Sequence, residues 1–279
     1  INFALPCLLI RTVIAHDINK VFNTNYLVAY GSGSLIVFAL GYFFARLVAR
    51  KSQQNAALQG MGMSVSNSGF IGYPIVLQLL GPTAGIALAL CFIIENLVIT
   101  PLALILGDSA EAEGTSRWQI LRKTLARLAR NPIIVAIVIG MSISISGITL
   151  PGPIFSVIDM LASASGPVAL FVIGGGLVGL KLRGLRFDMA RIVFGKLVLH
   201  PLIIFLLLGL VPDLDPLMKV AAVGFACAPM LSVYPIYGQR YGHEGMGAAS
   251  LMAATSLSFI TISTALWLLD STAVFGPLP

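Results

Sequence analysis

The stretch SNSGFIGYPI, Ser66 to Ile75, places an amide, two glycines and a proline inside a long apolar segment. Proline removes a backbone donor and glycine loosens a helix. Hydrocarbon offers no water to replace the lost hydrogen bonds, so such a break is tolerated only inside protein or beside a water-filled cavity. Composition places the stretch in a membrane. The chain has 279 residues, 57% of them hydrophobic and 10% charged, with a mean hydropathy of +0.95. A soluble domain carries about a quarter charged residues, so this chain has too little charge to cover a water-facing surface. Apolar runs of the ~20 residues needed to cross ~30 Å of hydrocarbon recur along it. The fold class that follows is an all-α polytopic membrane protein, since the alternating ~10-residue segments of a membrane barrel are not seen.

Nine apolar segments follow one another, at about 1–16, 26–48, 57–80, 84–107, 131–150, 154–180, 190–211, 216–239 and 245–269. The longest polar stretch, 108–130, ends in RWQILRKTLARLAR (Arg117–Arg130), which reads either as an amphipathic helix on the membrane surface or as a basic linker. Basic residues gather in every second loop: Arg46, Arg50 and Lys51; Arg117 to Arg130; Lys181, Arg183, Arg186, Arg191 and Lys196 around the sixth-to-seventh junction; and Arg240. That alternation is the pattern of topology signals rather than of a nucleic-acid surface, and it predicts cytoplasmic basic loops and a C-terminus outside. Cys7, Cys91 and Cys227 stand isolated in apolar stretches and read as small hydrophobes.

An internal repeat is visible in the prolines. Pro6 and Pro74 are 68 residues apart, as are Pro167 and Pro235, and both Pro74 and Pro235 sit in YPI. The chain therefore divides into a first repeat at 1–107, a cytoplasmic linker at 108–130 and a second repeat at 131–279, offset by 161. The basic-loop pattern gives paired segments opposite directions, which makes the repeat inverted, as in many secondary transporters. The same offset maps segment 131–150 to a position before Ile1, so a further N-terminal helix of about 20 residues is expected in the native protein, completing two five-helix halves.

Pro74 and Pro235 are then expected to break two helices that cross near the bilayer midplane. Half-helix N-termini there would present free N–H groups to an anion. The candidate substrate-binding residues are Ser66, Asn67, Ser68, Gly69, Pro74, Ser232, Tyr234 and Pro235. The alternative is a pair of proline kinks with glycines for close helix packing. Truncating Asn67 is expected to weaken anion binding with little effect on folding. Glu95, in the middle of the fourth segment, is a candidate for proton coupling or a structural partner for Arg11, Lys196 or Asn96. Arg11 could hold a substrate carboxylate or snorkel to the interface. His200 reads as a coupling candidate or as a packing residue, and Gly174–Gly176 as a packing surface or hinge.

NSGFIGYP resembles the N-x-G-[FY]-x-G-x-P signature of the auxin efflux carrier family, and FALPCLL and SGPVALFVIGGGL resemble its second and seventh helices. APMLSVYPIYGQRYG is similar to the bacterial branch named for malonate transport. The resemblance spans nearly the whole chain. It implies ten helices in two inverted halves, a scaffold domain from about 1–16 and 131–180, and a transport domain from about 26–107 and 190–269. It also implies elevator-like alternating access with an organic anion, Asn67 and Pro74 on the first crossover, and Ser232 and Pro235 on the second. Proton coupling, a homodimer through the scaffold and a bacterial inner-membrane location are further expectations. No enzyme motif, nucleotide site or sodium-type cluster is found, and no metal or cofactor is assigned. A receptor of the same fold or a channel remains as an alternative to a carrier.

Overall fold

The computed structural model describes residues 3–15, 23–109, 132–177 and 186–276, with Arg122, Ala126 and Arg130 described singly. Residue 1 and most of the amphipathic run at 117–130 lie outside the described residues. Every regular element among the described residues is helical, as the need to satisfy backbone groups within each segment demands in lipid.

The first group is α1 (Ala4–Ala15). α2 (Thr24–Phe43) starts where the Asn23 side chain accepts the Tyr26 amide, and it runs into a π turn at Phe44–Val48. α3 (Gln53–Ser64) is capped in the same way by Ser52. An extended link, Val65 to Asn67, leads into a π turn at Ser68–Gly72 and then α4 (Tyr73–Leu80). α5 runs Thr83–Ile94, through a π turn at Glu95–Ile99, to Thr100–Ser109. α6 (Pro132–Ser146) and α7 (Gly152–Leu177) follow; α7 stays helical through Gly174–Gly176. α8 runs Arg186–Phe194, a π turn at Gly195–Leu199, then His200–Gly209. α9 (Pro216–Cys227) is capped by Asp215, α10 (Tyr234–Arg240) follows the second break, and α11 (Glu244–Thr272) ends the described part.

Among the described residues, four helices are long and apolar enough to cross a membrane: Thr24–Val48, Thr83–Ser109, Phe187–Gly209 and Glu244–Thr272. The protein is an all-α polytopic membrane protein. The paired elements keep the offset seen in the prolines. α4 and α10 start 161 residues apart, at Tyr73 and Tyr234, and so do α5 and α11, at Thr83 and Glu244. Each half-helix after a break also closes on a glycine with positive φ, Gly81 at 57° and Gly242 at 72°.

Two packing groups result. α1 lies against α6 and α7, and at Gly140 a side chain would meet Val13 and Ile10 of α1 at 3.1 and 3.3 Å. The remaining helices form the larger group; α7 meets it at the Ser68–Gly72 turn, α1 and α6 also touch α5, and one apolar core runs through both groups. Leu8, Leu9 and Val13 of α1 are fully buried. A second apolar cluster, with Leu58, Met63, Ile192, Met230, Tyr234 and Met246, knits α3, α8, the second break and α11 together. The loop after α2, the starts of α3 and α8 and the ends of α5 and α10 meet at one end. There Lys51 pairs with Asp188 at 2.7 Å, Arg240 pairs with Asp108 at 2.7 Å, and Gln53 donates to the Leu106 carbonyl at 2.8 Å.

One sequence reading is corrected here. Lys196 does not belong with the loop residues: α8 begins at Arg186, so Lys196 lies well inside the helix and is fully buried.

Candidate functional site

The two breaks bond to each other. The Asn67 amide donates to the Pro229 carbonyl at 2.6 Å, and the Asn67 side-chain Nδ2 donates to Ser232 Oγ at 2.7 Å. Asn67 Oδ1 accepts the Phe70 amide at 3.3 Å, so the side chain caps its own turn as well. With only 1% of its surface exposed, Asn67 is a joint between the halves. Its removal therefore bears on folding as well as on a bound anion.

The expected free amides are also fewer. The Ile71 and Gly72 amides donate to the Asn67 carbonyl at 3.1 and 3.0 Å, so the π turn itself takes up donors that an anion would need. Gly72 is where the Phe225 ring of α9 packs onto the turn: a Cβ there would lie 2.8 Å from that ring. Gly69 is buried in the same turn, and Pro74 and Pro235 each take the second position of their half-helices and are half-buried. At Pro235 the proline removes an amide that lacks an intrahelical partner anyway, whereas Pro74 follows directly on the π turn and leaves one of its carbonyls without a donor.

A charged network stands behind the first break. Glu95 Oε1 accepts from the Ser66 amide at 3.1 Å, Ser68 Oγ at 2.7 Å and Tyr30 Oη at 3.3 Å. Lys196 Nζ donates to Ser66 Oγ at 2.7 Å and to the Ala226 carbonyl at 2.9 Å, and it lies 2.6 Å from His200 Nδ1. His200 Nε2 is 3.0 Å from Ser34 Oγ. An ammonium has three donors and no acceptor, and these three contacts use all of them. His200 Nδ1 then accepts, which leaves Nε2–H to donate to Ser34. Glu95, Lys196 and His200 are all fully buried. Both charges sit on π turns, which widen a helix and are frequent at functional sites.

Two proposed binding residues point elsewhere. The Tyr234 hydroxyl donates to the Leu58 carbonyl at 2.9 Å, inside the second apolar cluster, so the reading of that hydroxyl as a ligand donor is corrected. Arg11 pairs with Asp159 of α7 at 2.7 Å and donates to Ser163 at 3.2 Å. That pair is open, with side-chain exposures of 27% and 49%, and Tyr73 lies close enough to Arg11 to feel its charge. Arg11 thus stands where α1, α7 and the crossing meet.

Sequence reasoning missed Tyr30, Ser34 and Asp159. The spacing of Tyr26, Tyr30 and Ser34 at i, i+4 and i+8 was the available signal: it puts three polar groups on one stripe of an otherwise apolar helix. Lys196 and His200 share a face by the same rule.

A family of proteins described as membrane transport proteins matches residues 1–268. The chain belongs to this membrane transport protein family. Among family relatives, a Rhizobium meliloti protein provisionally named a malonate transporter is 28% identical over 275 residues, covering 98% of this chain and 86% of the relative. An Escherichia coli K12 protein named as an uncharacterized transporter, YfdV, is 25% identical over 282 residues, covering 98% of this chain and 87% of its own length. Membership of the membrane transport protein family agrees with the sequence resemblance and with the apolar helices.

Proposed function

We propose that the protein is a secondary transporter that carries a small organic anion by alternating access, with the crossing of the two breaks as its substrate site. The observation that carries the reading is the pair of bonds from Asn67 to Pro229 and Ser232, which ties two offset half-helices into one unit. Broken helices that meet within a membrane protein are the usual place for a transported ion. α2–α5 and α8–α11 would move together as the transport domain, and α1, α6 and α7 would stay as the scaffold. Arg11, on the scaffold and facing the crossing, would exchange Asp159 for a substrate carboxylate. The Rhizobium meliloti relative's name supports malonate or a similar dicarboxylate as the anion.

In this reading the end bearing Lys51, Asp108, Asp188 and Arg240 faces the cytoplasm and the C-terminus lies outside, by the positive-inside rule. This reading needs no catalytic residue, and the bacterial relatives support a bacterial inner membrane as the location. The test is counterflow in proteoliposomes loaded with mono- and dicarboxylates. Saturable exchange of labelled malonate or a related anion is expected. Binding without exchange would make the protein a receptor, and non-saturable flux would make it a channel.

A further inference from the structure

We propose that Lys196, Ser66, Tyr30 and Glu95 form a proton-transfer path through the first break, so that anion movement is coupled to protons. What the path couples to rests on the transporter reading above. The path itself rests on geometry.

Lys196 and Glu95 are opposite charges, both fully buried, yet among the described residues they form no direct ion pair. Two hydroxyls stand between them. Lys196 Nζ donates to Ser66 Oγ at 2.7 Å, Ser66 Oγ lies 3.4 Å from Tyr30 Oη, and Tyr30 Oη donates to Glu95 Oε1 at 3.3 Å. The donor directions agree along the whole chain, because the ammonium has no acceptor and a carboxylate has no donor. One proton passes by three concerted hops. Nζ–H breaks as a bond forms to Ser66 Oγ, the Ser66 O–H passes to Tyr30 Oη, and the Tyr30 O–H passes to Glu95. The products are a neutral amine and a carboxylic acid, with Ser66 and Tyr30 unchanged. Both states of the pair are electrically neutral, so neither leaves an uncompensated buried charge, the costly case in a low-dielectric interior.

The path is built to sense the break. Ser66 is one residue from Asn67, and its backbone amide also holds Glu95. A local shift of the Val65–Asn67 link within the transport domain, rather than movement of that domain as a whole, breaks both hydroxyl contacts of Ser66 and cuts the path in one step. Deprotonating Lys196 leaves three acceptor contacts with two donors and loosens its tie to Ala226 at the second break. The other titratable groups facing Lys196 are His200 on its own helix, Cys91 on α5 and Cys227 on α9. Glu95 Oε2 is buried with no partner among the described residues, so it is the point at which a proton can join or leave when water reaches the site.

Tyr30→Phe removes one hydroxyl from the path and keeps the ring that stacks on Tyr26 at 5.8 Å. In proteoliposomes, malonate counterflow needs no net proton movement, whereas uptake driven by a pH gradient does. Tyr30→Phe should keep counterflow and lower pH-driven uptake by about tenfold or more, the scale of one buried hydrogen bond to a charged group. Wild-type pH-driven uptake in the variant, or wild-type uptake that follows a sodium gradient instead, overturns the path. Absence of exchange for every carboxylate in the wild type sinks the transporter reading. The path then stands on infrared difference spectra of the detergent-solubilised protein at high and low pH, which also decide if Tyr30→Phe loses counterflow. A protonated-carboxyl band that vanishes in Glu95→Gln and shifts its pH midpoint in Lys196→Met is expected. No such band at any pH, or one that Lys196→Met leaves in place, overturns it.

Discussion

At the first break three consecutive residues, Ser66, Asn67 and Ser68, are polar and buried, and Glu95 stands behind them. At the second, Ala228 to Val233, the one polar side chain is Ser232, and the break contributes the carbonyl of Pro229. The backbones correspond at an offset of 161, but the charges do not. The residue 161 after Glu95 is Ser256, and the residue 161 before Lys196 is Leu35. A duplicated backbone supplies two crossing breaks, and the chemistry around them is built once, on the side of the first. This division separates what makes the fold from what would make it work.

The largest effect should come from the unduplicated charges. Lys196→Met strands Glu95 as a buried charge without its counterpart, and Glu95→Gln does the reverse. Breaking a buried pair by removing one partner costs about 3–5 kcal/mol. Each single variant should unfold far more readily in detergent, and the double variant should recover much of the loss. The mirror substitution Leu35→Met should cost little. Equal losses at Leu35 and Lys196 would mean that packing, not charge, holds the site.

Asn67→Ala comes next. It removes the bond to Ser232 and the cap on Phe70, worth together about 2 kcal/mol, while Ser232→Ala removes only the shared bond. A double-mutant cycle on unfolding should show that the two losses overlap. Affinity for the transported anion should fall in Asn67→Ala beyond what Ser232→Ala produces, and strict additivity of the two would deny that the breaks are joined through these side chains.

Much of this was legible in the chain. Pro74 and Pro235 announced the breaks because proline cannot hide in a helix interior, and the repeated YPI fixed their offset. Asn67, Ser66, Ser68 and Ser232 were legible because polar groups stand out in apolar runs. Lys196 was legible only as one of three possible partners for Glu95, because Arg186 and Arg191 lie close before it, and a cation near a segment's edge looks like a topology signal until the helix is seen to start at Arg186. The Arg11–Asp159 pair joins residues 148 apart in sequence, and no local pattern announces such a partner. Tyr234 was misjudged because its position beside Pro235 is visible in sequence while the direction of its side chain is not.

Backbone correspondence has its own test. Gly81 and Gly242 occupy matching positions, both have positive φ, and nothing lies within 4 Å of a Cβ added at either. Alanine at each should therefore be disfavoured by backbone strain alone, by about 1–2 kcal/mol, partly offset by the stiffer unfolded chain. Anion affinity should be unchanged. Destabilisation at only one of the two would place the end of the repeat before the close of the half-helices.

The smallest effect separates Tyr73 from Tyr234, which occupy the same place in the two repeats. Tyr73 lies close enough to Arg11 to feel its charge. Tyr234 donates to the Leu58 carbonyl within an apolar cluster. Removing the Tyr234 hydroxyl forfeits one buried hydrogen bond, about 1 kcal/mol, and leaves the ring that fills the space over Gly62, where an added Cβ would meet it at 2.6 Å. Tyr234→Phe should thus lower the unfolding midpoint slightly and leave the half-saturating anion concentration as it was. Tyr73→Phe should do the opposite, because Arg11 loses a neighbour that orients it while the packing is kept. The pair of variants is read by the ratio of their effects on affinity. An affinity change in Tyr234→Phe that matches or exceeds the one in Tyr73→Phe would return Tyr234 to the binding site and move the anion toward the second break.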